Sequence, residues 1–367
     1  TITRQHLILD RKPIMKVNLN QAATVIRAVG TTNTIILRGQ PGVGKSAILN
    51  MLSREMPDYI PCYIDVANLD LGDLGMPVIN RELMVTNYAP NARFGLANGS
   101  NRPLLIMLDE LGKASRPVLN MLLPLVNEKR IADRGLTTGS VVIATTNLDT
   151  DGVGDNIPAH AYNRMTELVV ANPTADEWLH WAANNDIAPE IMAFVKQNPE
   201  VMVCYTDIGP KDKNPYIFNP LTGNTRTFCS PRSLERASYI TKQRGVLGDA
   251  FLPALAGTIG APAAQLMVAL VNLADTLPLY ENIVKDPHKT KVPKEDAVGA
   301  QFILAFMLAN RVNADDLDAV MVYAQRMPSF EAYSLFVSSL AGNSTKVAMA
   351  CKNRLFTQAA AKLGKYF

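Results

Sequence analysis

The chain has 367 residues, enough for two or three domains, and its hydrophobic content of 48% with 19% charged residues is that of an ordinary globular protein. A net charge of +3 is too small to indicate nucleic-acid binding by itself, and no apolar run is long enough to span a membrane. The four cysteines are widely spaced, which argues against a disulfide framework or a zinc site and favours a reducing compartment. We therefore expect a cytoplasmic protein.

The first strong signal is a short β-branched strand at residues 34–37 that leads into residues 39–46, which fit the pattern G-x-x-x-x-G-K-[ST]. Glycines allow a tight turn whose backbone N–H groups surround an anion, and the helix predicted at residues 47–56 adds the positive end of its dipole. Lys45 would reach the β- and γ-phosphates of a nucleoside triphosphate, and Ser46 would ligate Mg²⁺. We therefore predict ATP and Mg²⁺ as ligands. The predicted phosphate-binding residues are Gly39, Gln40, Pro41, Gly42, Val43, Gly44, Lys45, Ser46 and Ala47.

A second strand is predicted at residues 59–66, and a protruding β-hairpin follows it. Residues 78–86 alternate in polarity around Asn80 and Arg81, which is typical of two short antiparallel strands. Such a hairpin either grips a substrate or packs against another subunit, and the sequence supports both roles. An inserted loop on a rigid scaffold more often carries function.

An acidic pair follows the most apolar strand of the chain. Residues 104–108 form a continuous apolar run, as expected of a parallel strand buried on both faces. The run ends in Asp109 and Glu110, at the carboxyl end of the strand, where ligands bind in open α/β sheets. We predict that Asp109 holds Mg²⁺ and that Glu110 polarises the attacking water as general base.

A helix at residues 115–127 and a hairpin at residues 128–136 are predicted next, before a strand at residues 140–146. This strand ends beside Asn147. A polar Asn at the tip of a buried strand next to the acidic strand would orient the lytic water or touch the γ-phosphate. Capping of a turn is the alternative role for this side chain.

Arg164 precedes a further strand, predicted at residues 167–170. It is the candidate arginine finger, a side chain that completes the site of a neighbouring subunit and neutralises charge on the transferred phosphoryl group. A surface arginine without this role is the alternative.

The sequence becomes helical after residue 172. Thr174 begins a capping box, and Ser230 is the predicted N-cap of a helix with Pro231 at its first position. Arg232 then lies in the first helical turn, where it would point toward the nucleotide if a helical lid closes over the site; a salt bridge within the lid is the alternative. Further helices are predicted at residues 249–274, 297–309 and 314–326.

The C-terminal segment, residues 343–367, has basic residues and no acidic ones. A basic helix of this kind would dock on nucleic acid or on an acidic partner, or it would present a solvated helix face. We favour the solvated face.

In chain order, five segments resemble the Walker A, Walker B, sensor 1, arginine-finger and sensor 2 motifs of AAA+ ATPases. They are GQPGVGKS, LLIMLDE, VVIATTN, AYNRM and SPRSLE. The resemblance is greatest to the MoxR type, in the subset found in bacteria and bacteriophages. By position it implies phosphate and Mg²⁺ binding by Lys45, Ser46 and Asp109, and catalytic roles for Glu110, Asn147, Arg164 and Arg232. Met165 stands where the family usually has Phe after the finger arginine, and Arg130 and Arg134 are nearby alternatives for the finger.

The resemblance also implies an architecture and a function. The expected fold is α/β: a P-loop AAA+ core with a parallel sheet and flanking helices at residues 1–172, an α-helical lid at 173–245 and a helical C-terminal extension at 246–367. The expected activity is Mg²⁺-dependent ATP hydrolysis by a homo-hexameric ring. The expected role is chaperone-like remodelling of a partner, often a von Willebrand factor A domain protein. A nucleic-acid motor and an ATP-dependent assembly scaffold are the alternatives.

Overall fold

The computed structural model describes residues 15–96, 101–148, 157–209, 212–223 and 226–364. The chain separates into two compact units, Thr1–Asn172 and Pro173–Phe367. Residues 365–367 of the predicted basic segment lie outside the described residues.

The first unit contains strands, short hairpins and four α-helices within its described residues. The strands are β1 (Lys16–Val17), β2 (Thr34–Arg38), β3 (Ile60–Asp65), β4 (Gly75–Asn80), β5 (Val85–Pro90), β6 (Leu104–Asp109), β7 (Arg130–Ile131), β8 (Arg134–Gly135), β9 (Val141–Thr146) and β10 (Met165–Val170). The helices are α1 (Leu19–Val29), α2 (Ala47–Glu55), α3 (Arg116–Glu128) and α4 (Ala159–Tyr162).

A parallel sheet with strand order β1-β10-β2-β9-β6-β3 forms the centre of this unit. Every residue of β6 and β9 is buried, which explains their continuous apolar sequences. Buried side chains of α1 and α2 pack on one face of the sheet, and those of α3 pack on the other. The predicted α/β core with a parallel sheet and flanking helices is confirmed.

Parallel pairing brings three predicted segments to one edge of the sheet. The glycine-rich loop follows β2, Asp109 is the last residue of β6, and Asn147 follows β9. Because β6, β9 and β2 are consecutive neighbours in the sheet, their carboxyl ends lie side by side. This is the edge at which open α/β sheets bind ligands.

The predicted protruding hairpin is present and is longer than the sequence indicates. β4 and β5 pair antiparallel from Gly75 opposite Pro90 to Asn80 opposite Val85, and we call residues 75–90 the ribbon. A second, shorter hairpin is formed by β7 and β8. The backbone N–H of Tyr88 donates to the carboxylate of Asp133 in this second hairpin, so the two hairpins are joined.

The second unit is helical. Its helices are α5 (Ala175–Ala182), α6 (Pro189–Gln197), α7 (Pro231–Lys242), α8 (Arg244–Leu247), α9 (Phe251–Ile259), α10 (Ala261–Ala274), α11 (Tyr280–Lys285), α12 (Val298–Arg311), α13 (Leu317–Ala324), α14 (Phe330–Ala341), α15 (Val347–Ala350) and α16 (Arg354–Leu363). One hydrophobic core extends from Trp178 to Leu363 and includes residues on both sides of position 245. The predicted helical character is confirmed.

Two predicted helix starts are confirmed, and one predicted helix is wrong. Thr174 and Ser230 both accept backbone N–H bonds as N-caps of α5 and α7. The helix predicted at residues 249–274 is instead divided into α9 and α10 at Gly260, which has a φ of +86°. A side chain there would be strained, and its Cβ would lie 3.0 Å from the carbonyl oxygen of Thr227. Within the described residues, no helix is long and apolar enough to cross a membrane.

Candidate nucleotide-binding site

The glycine-rich loop adopts a backbone that its glycines make possible. Gly42 and Gly44 have φ values of +81° and +101°, in the left-handed region where other residues are strained. The loop runs directly into α2, whose first residue is Ala47. A helix N-terminus behind a glycine-rich loop is suited to binding an anion such as a phosphate.

Lys45 is folded back over this loop. Its side chain is buried (8% exposed), and the ammonium donates to the carbonyl oxygens of Gly39 and of Gln40, the latter at 2.9 Å. The ammonium also donates to Oδ1 of Asn147 at 3.2 Å. This bond joins the loop to the end of β9 at the same edge of the sheet. Its two residues are 102 positions apart in sequence.

Ser46 contacts the acidic strand directly. Its hydroxyl donates to Oδ2 of Asp109 at 2.8 Å. Mg²⁺ prefers oxygen ligands, and a hydroxyl beside a carboxylate supplies two of them while leaving positions for water and phosphate. The residues present therefore fit the predicted metal, and Ser46 and Asp109 would be its ligands.

The Asp109 carboxylate accepts two further hydroxyl bonds that the sequence did not predict. Thr145, which is fully buried on β9, donates to Oδ1, and Tyr63 on β3 donates to Oδ2 at 2.7 Å. Partial desolvation and the Asp109 carboxylate raise the pKa of the Tyr63 hydroxyl, so it remains a donor at neutral pH. Thr145 lies in the polar Thr-Thr-Asn sequence that ends β9, so the sequence contains a signal for its position near the site. Nothing in the sequence indicates that Tyr63 contacts Asp109.

Glu110 leaves the strand in a left-handed conformation, with a φ of +56°. Its N–H donates to Oγ1 of Thr145 at 2.9 Å, which helps to hold this unusual backbone. The Glu110 carboxylate is partly exposed and pairs with the ammonium of Lys113 at 2.7 Å. Its predicted role as general base stays a prediction.

The candidate finger lies at the opposite edge of the sheet from the glycine-rich loop. Met165 pairs with Thr34, so Arg164 lies beside the amino end of β2, whereas the loop follows the carboxyl end. The five residues of β2 separate these ends by about 13 Å at 3.3 Å per residue. Arg164 is exposed and, among the described residues, forms no ion pair. Arg164 therefore lies away from the glycine-rich loop of its own chain.

The alternative finger residues lie near the same amino edge. Lys129, just before the β7–β8 hairpin, donates to Oγ1 of Thr34 at 3.3 Å. Arg130 pairs with Glu128 at 3.8 Å, and Arg134 is exposed on β8. The geometry therefore does not separate these two from Arg164.

Arg232 belongs to the second unit. It is the second residue of α7, it is exposed, and Ser230 caps the turn in which it lies. Its predicted role as sensor 2 stays a prediction.

Residues 35–171 match the profile of the family described as ATPase family associated with various cellular activities (AAA). This match begins in β2 and ends after β10, so it contains the glycine-rich loop, the acidic pair and Asn147. Residues 35–171 are an AAA ATPase domain. This match supports ATP hydrolysis as the activity of the chain.

No curated protein matches this chain. Among solved structures, a candidate ATPase from Cytophaga hutchinsonii is 21% identical over 46% of this chain and 50% of its own, with a TM-score of 0.35. This chain thus spans half the length of that protein. RuvB of Thermotoga maritima, a Holliday junction branch migration motor, is 13% identical over 86% of both chains, with a TM-score of 0.36. NtrX of Brucella abortus is 14% identical over 99% of this chain and 71% of its own, with a TM-score of 0.33. These similarities carry no information on the function of this AAA ATPase domain.

We predict that Lys45→Ala weakens ATP binding by at least about tenfold. The substitution removes a charge-assisted donor from a buried site, an interaction worth about 1.5–3 kcal/mol. Calorimetric titration with ATP would measure the change. Lys113→Ala is the matched control, because it removes a partly exposed lysine outside the loop and should change affinity by about twofold at most. Unchanged ATP affinity in Lys45→Ala would exclude the loop as the phosphate site.

Proposed function

We propose that this protein is a MoxR-type AAA+ ATPase, of the bacterial or bacteriophage subset, that forms a homo-hexameric ring and remodels a partner protein with the energy of Mg²⁺-dependent ATP hydrolysis. In this proposal residues 1–172 bind the nucleotide, residues 173–245 form a lid and residues 246–367 extend it. The resemblance to MoxR proteins suggests a von Willebrand factor A domain protein as partner.

The proposed roles in hydrolysis follow the contacts at the sheet edge. Lys45 neutralises charge on the β- and γ-phosphates, and Asn147, which accepts from Lys45, orients the lytic water or the γ-phosphate. Ser46 and Asp109 hold Mg²⁺, which supplies positive charge to the phosphates when bound. Glu110 takes the proton of the attacking water, and its partly exposed carboxylate is free to turn from Lys113 toward that water.

The proposed ring is supported by the position of Arg164. Its own loop lies beyond the length of β2, so an arginine finger at this position serves the site of a neighbouring subunit. A contact in which each subunit completes the next is heterologous, and such contacts form a ring when the rotation between subunits closes. Arg232 would act from the lid of the same ring.

The exposed ribbon is the observation that favours a protein partner. Ile79, Leu83 and Met84 near its tip are 72%, 70% and 87% exposed. An exposed apolar patch marks a surface that contacts protein or membrane. Arg81 and Glu82 are the charged residues of the ribbon, and their charges cancel.

A nucleic-acid motor would present cations on the surfaces that grip phosphates. The ribbon has no net charge. In the basic C-terminal segment, at least one lysine is already used in a structural contact. Lys346 donates to the carbonyl oxygens of Ala309 and Asn310, where it caps the end of α12. Partial burial of the Lys346 ammonium also lowers its pKa. The remaining alternative, an assembly scaffold that does not turn over ATP, is tested by the Glu110 variant discussed below.

We predict that Glu110→Gln, which retains ATP, holds the partner in a stable complex. Tagged Glu110→Gln protein would be isolated with ATP after nuclease treatment, and co-purifying proteins would be identified by mass spectrometry. We expect a protein retained with ATP and lost with Lys45→Ala. The double change Leu83→Ser and Met84→Ser at the ribbon tip should lose it as well.

Two results would contradict this proposal. Retention that survives loss of the ribbon tip would exclude the ribbon as the contact. ATP hydrolysis that DNA stimulates, with an effect that falls steeply as salt concentration rises, would instead support the nucleic-acid motor.

A further inference from the structure

The Asp109 carboxylate is held from both neighbouring strands. β6 lies between β9 and β3 in the sheet. Tyr63 pairs with Met107, two residues before Asp109, and residues two apart on a strand point to the same face. Thr145 follows Ala144, which pairs with Leu108 on the other side. The hydroxyls of Tyr63 and Thr145 therefore reach Asp109 from opposite directions.

These two hydroxyls bind different oxygens of the carboxylate. Thr145 donates to Oδ1, and Tyr63 donates to Oδ2, which also accepts from Ser46. The terminal torsion of an aspartate is broad, so its hydrogen bonds decide the plane of the carboxylate. The bond from Thr145 to Oδ1 and the bond from Tyr63 to Oδ2 together restrain that plane, in which Oδ2 lies 2.8 Å from the Ser46 hydroxyl.

Tyr63 and Thr145 differ in what else they do. Thr145 is fully buried and also accepts the N–H of Glu110, so its removal would disturb the strand end as well. Tyr63 is 53% exposed, and among the described residues its hydroxyl donates a hydrogen bond to Asp109 alone. The Tyr63 hydroxyl is therefore a group whose loss tests the orientation of Asp109 without emptying the core.

We infer that Tyr63 is a positioning residue for the magnesium site: its hydroxyl orients the Asp109 carboxylate so that Asp109 and Ser46 together accept the ion. The inference rests on the proposed role of Ser46 and Asp109 as magnesium ligands. Groups that hydrogen-bond to a ligating carboxylate are worth about 10- to 100-fold in metal affinity or activity. Tyr63 is partly exposed, so we expect the lower end of this range.

The test is Tyr63→Phe, which removes one hydroxyl and keeps the ring. ADP binding would be measured by calorimetry with Mg²⁺ and again in EDTA, and Mn²⁺ binding to the ADP complex by electron paramagnetic resonance. We expect the metal-dependent part of ADP affinity and the affinity for Mn²⁺ to fall about tenfold, with binding in EDTA unchanged. ATP turnover should fall by a similar factor and recover at high Mg²⁺ concentration.

Tyr59→Phe is the matched control, because the Tyr59 hydroxyl has no hydrogen-bond partner in the described part of the chain. A Tyr63→Phe protein that binds Mg²⁺·ADP and Mn²⁺ like the wild type would overturn the inference. Equal losses with Mg²⁺ and in EDTA, together with a lower melting temperature, would overturn it as well, since they indicate a structural role. If the wild-type protein binds ADP equally well with Mg²⁺ and in EDTA, the assignment of Ser46 and Asp109 as magnesium ligands is itself overturned.

Discussion

Arg164→Ala is expected to bind ATP like the wild type and to hydrolyse it at least about 10³-fold more slowly. An arginine finger neutralises charge that develops on the phosphoryl group in the transition state, and its removal costs about 10³–10⁵ in turnover. The binding site of the altered subunit keeps Lys45, Ser46 and Asp109, so its ground-state affinity should not change. Phosphate release and calorimetric titration would measure the two quantities.

A mixing experiment distinguishes action on a neighbour from action within one subunit. Arg164→Ala subunits have an intact pocket, and Lys45→Ala subunits have an intact finger. At some interfaces of a mixed ring an intact pocket therefore faces an intact finger, and activity should return as one inactive protein is titrated into the other at fixed total concentration. The amino-edge position of Arg164 predicts this rescue, because the finger is separated from its own loop by the length of β2.

Arg130→Ala and Arg134→Ala are the matched controls, since both residues lie on the hairpin near the same edge. We expect them to retain turnover. Activity that stays at background in mixed rings of confirmed mass would exclude Arg164 as a finger acting between subunits. A large loss in one of the control variants would move the assignment to the hairpin.

Glu110→Gln is expected to lower ATP hydrolysis by about 10²-fold or more while nearly preserving nucleotide affinity. The amide keeps the shape of the side chain but cannot accept a proton from the attacking water, and loss of a general base costs about 10²–10⁴. Single-turnover hydrolysis and ADP titration would separate chemistry from binding.

The ion pair with Lys113 requires a control of its own. Glu110→Gln also removes the charge that pairs with Lys113, so a loss of activity could come from the broken pair. Lys113→Ala breaks the same pair and leaves the carboxylate, and we expect it to retain turnover within a few-fold, since partly exposed pairs contribute about 0–1 kcal/mol. Wild-type turnover in Glu110→Gln would show that Glu110 is not the base, and equal losses in both variants would assign the effect to the pair.

Local patterns of the sequence determined several elements of both units. The apolar run before Asp109 predicted a strand buried on both faces, and all six residues of β6 are buried. The glycines of the loop predicted a backbone that Gly42 and Gly44 adopt, with positive φ. Cap residues likewise marked the starts of α5 and α7 correctly. These features follow from interactions among residues close in sequence, and a sequence records such interactions directly.

The same reasoning placed the bounds of two elements incorrectly. Apolar periodicity continues through residues 249–274, but Gly260 divides the segment into α9 and α10. Gly260 has a φ of +86°, and the Cβ of another residue at this position would lie 3.0 Å from the Thr227 carbonyl oxygen. The ribbon is longer than predicted, because pairing across its two strands extends to Gly75 and Pro90.

By itself, the sequence predicted which residues would carry the chemistry, because the glycine-rich loop, the acidic pair and Asn147 each have a local signature. Only the tertiary structure decided what surrounds them. Strand order placed Tyr63 and Thr145 on either side of Asp109, and parallel register placed Arg164 at the opposite edge from the loop. Strand order and register depend on pairing between segments that are tens of residues apart, and no local pattern in the chain encodes which strands become neighbours.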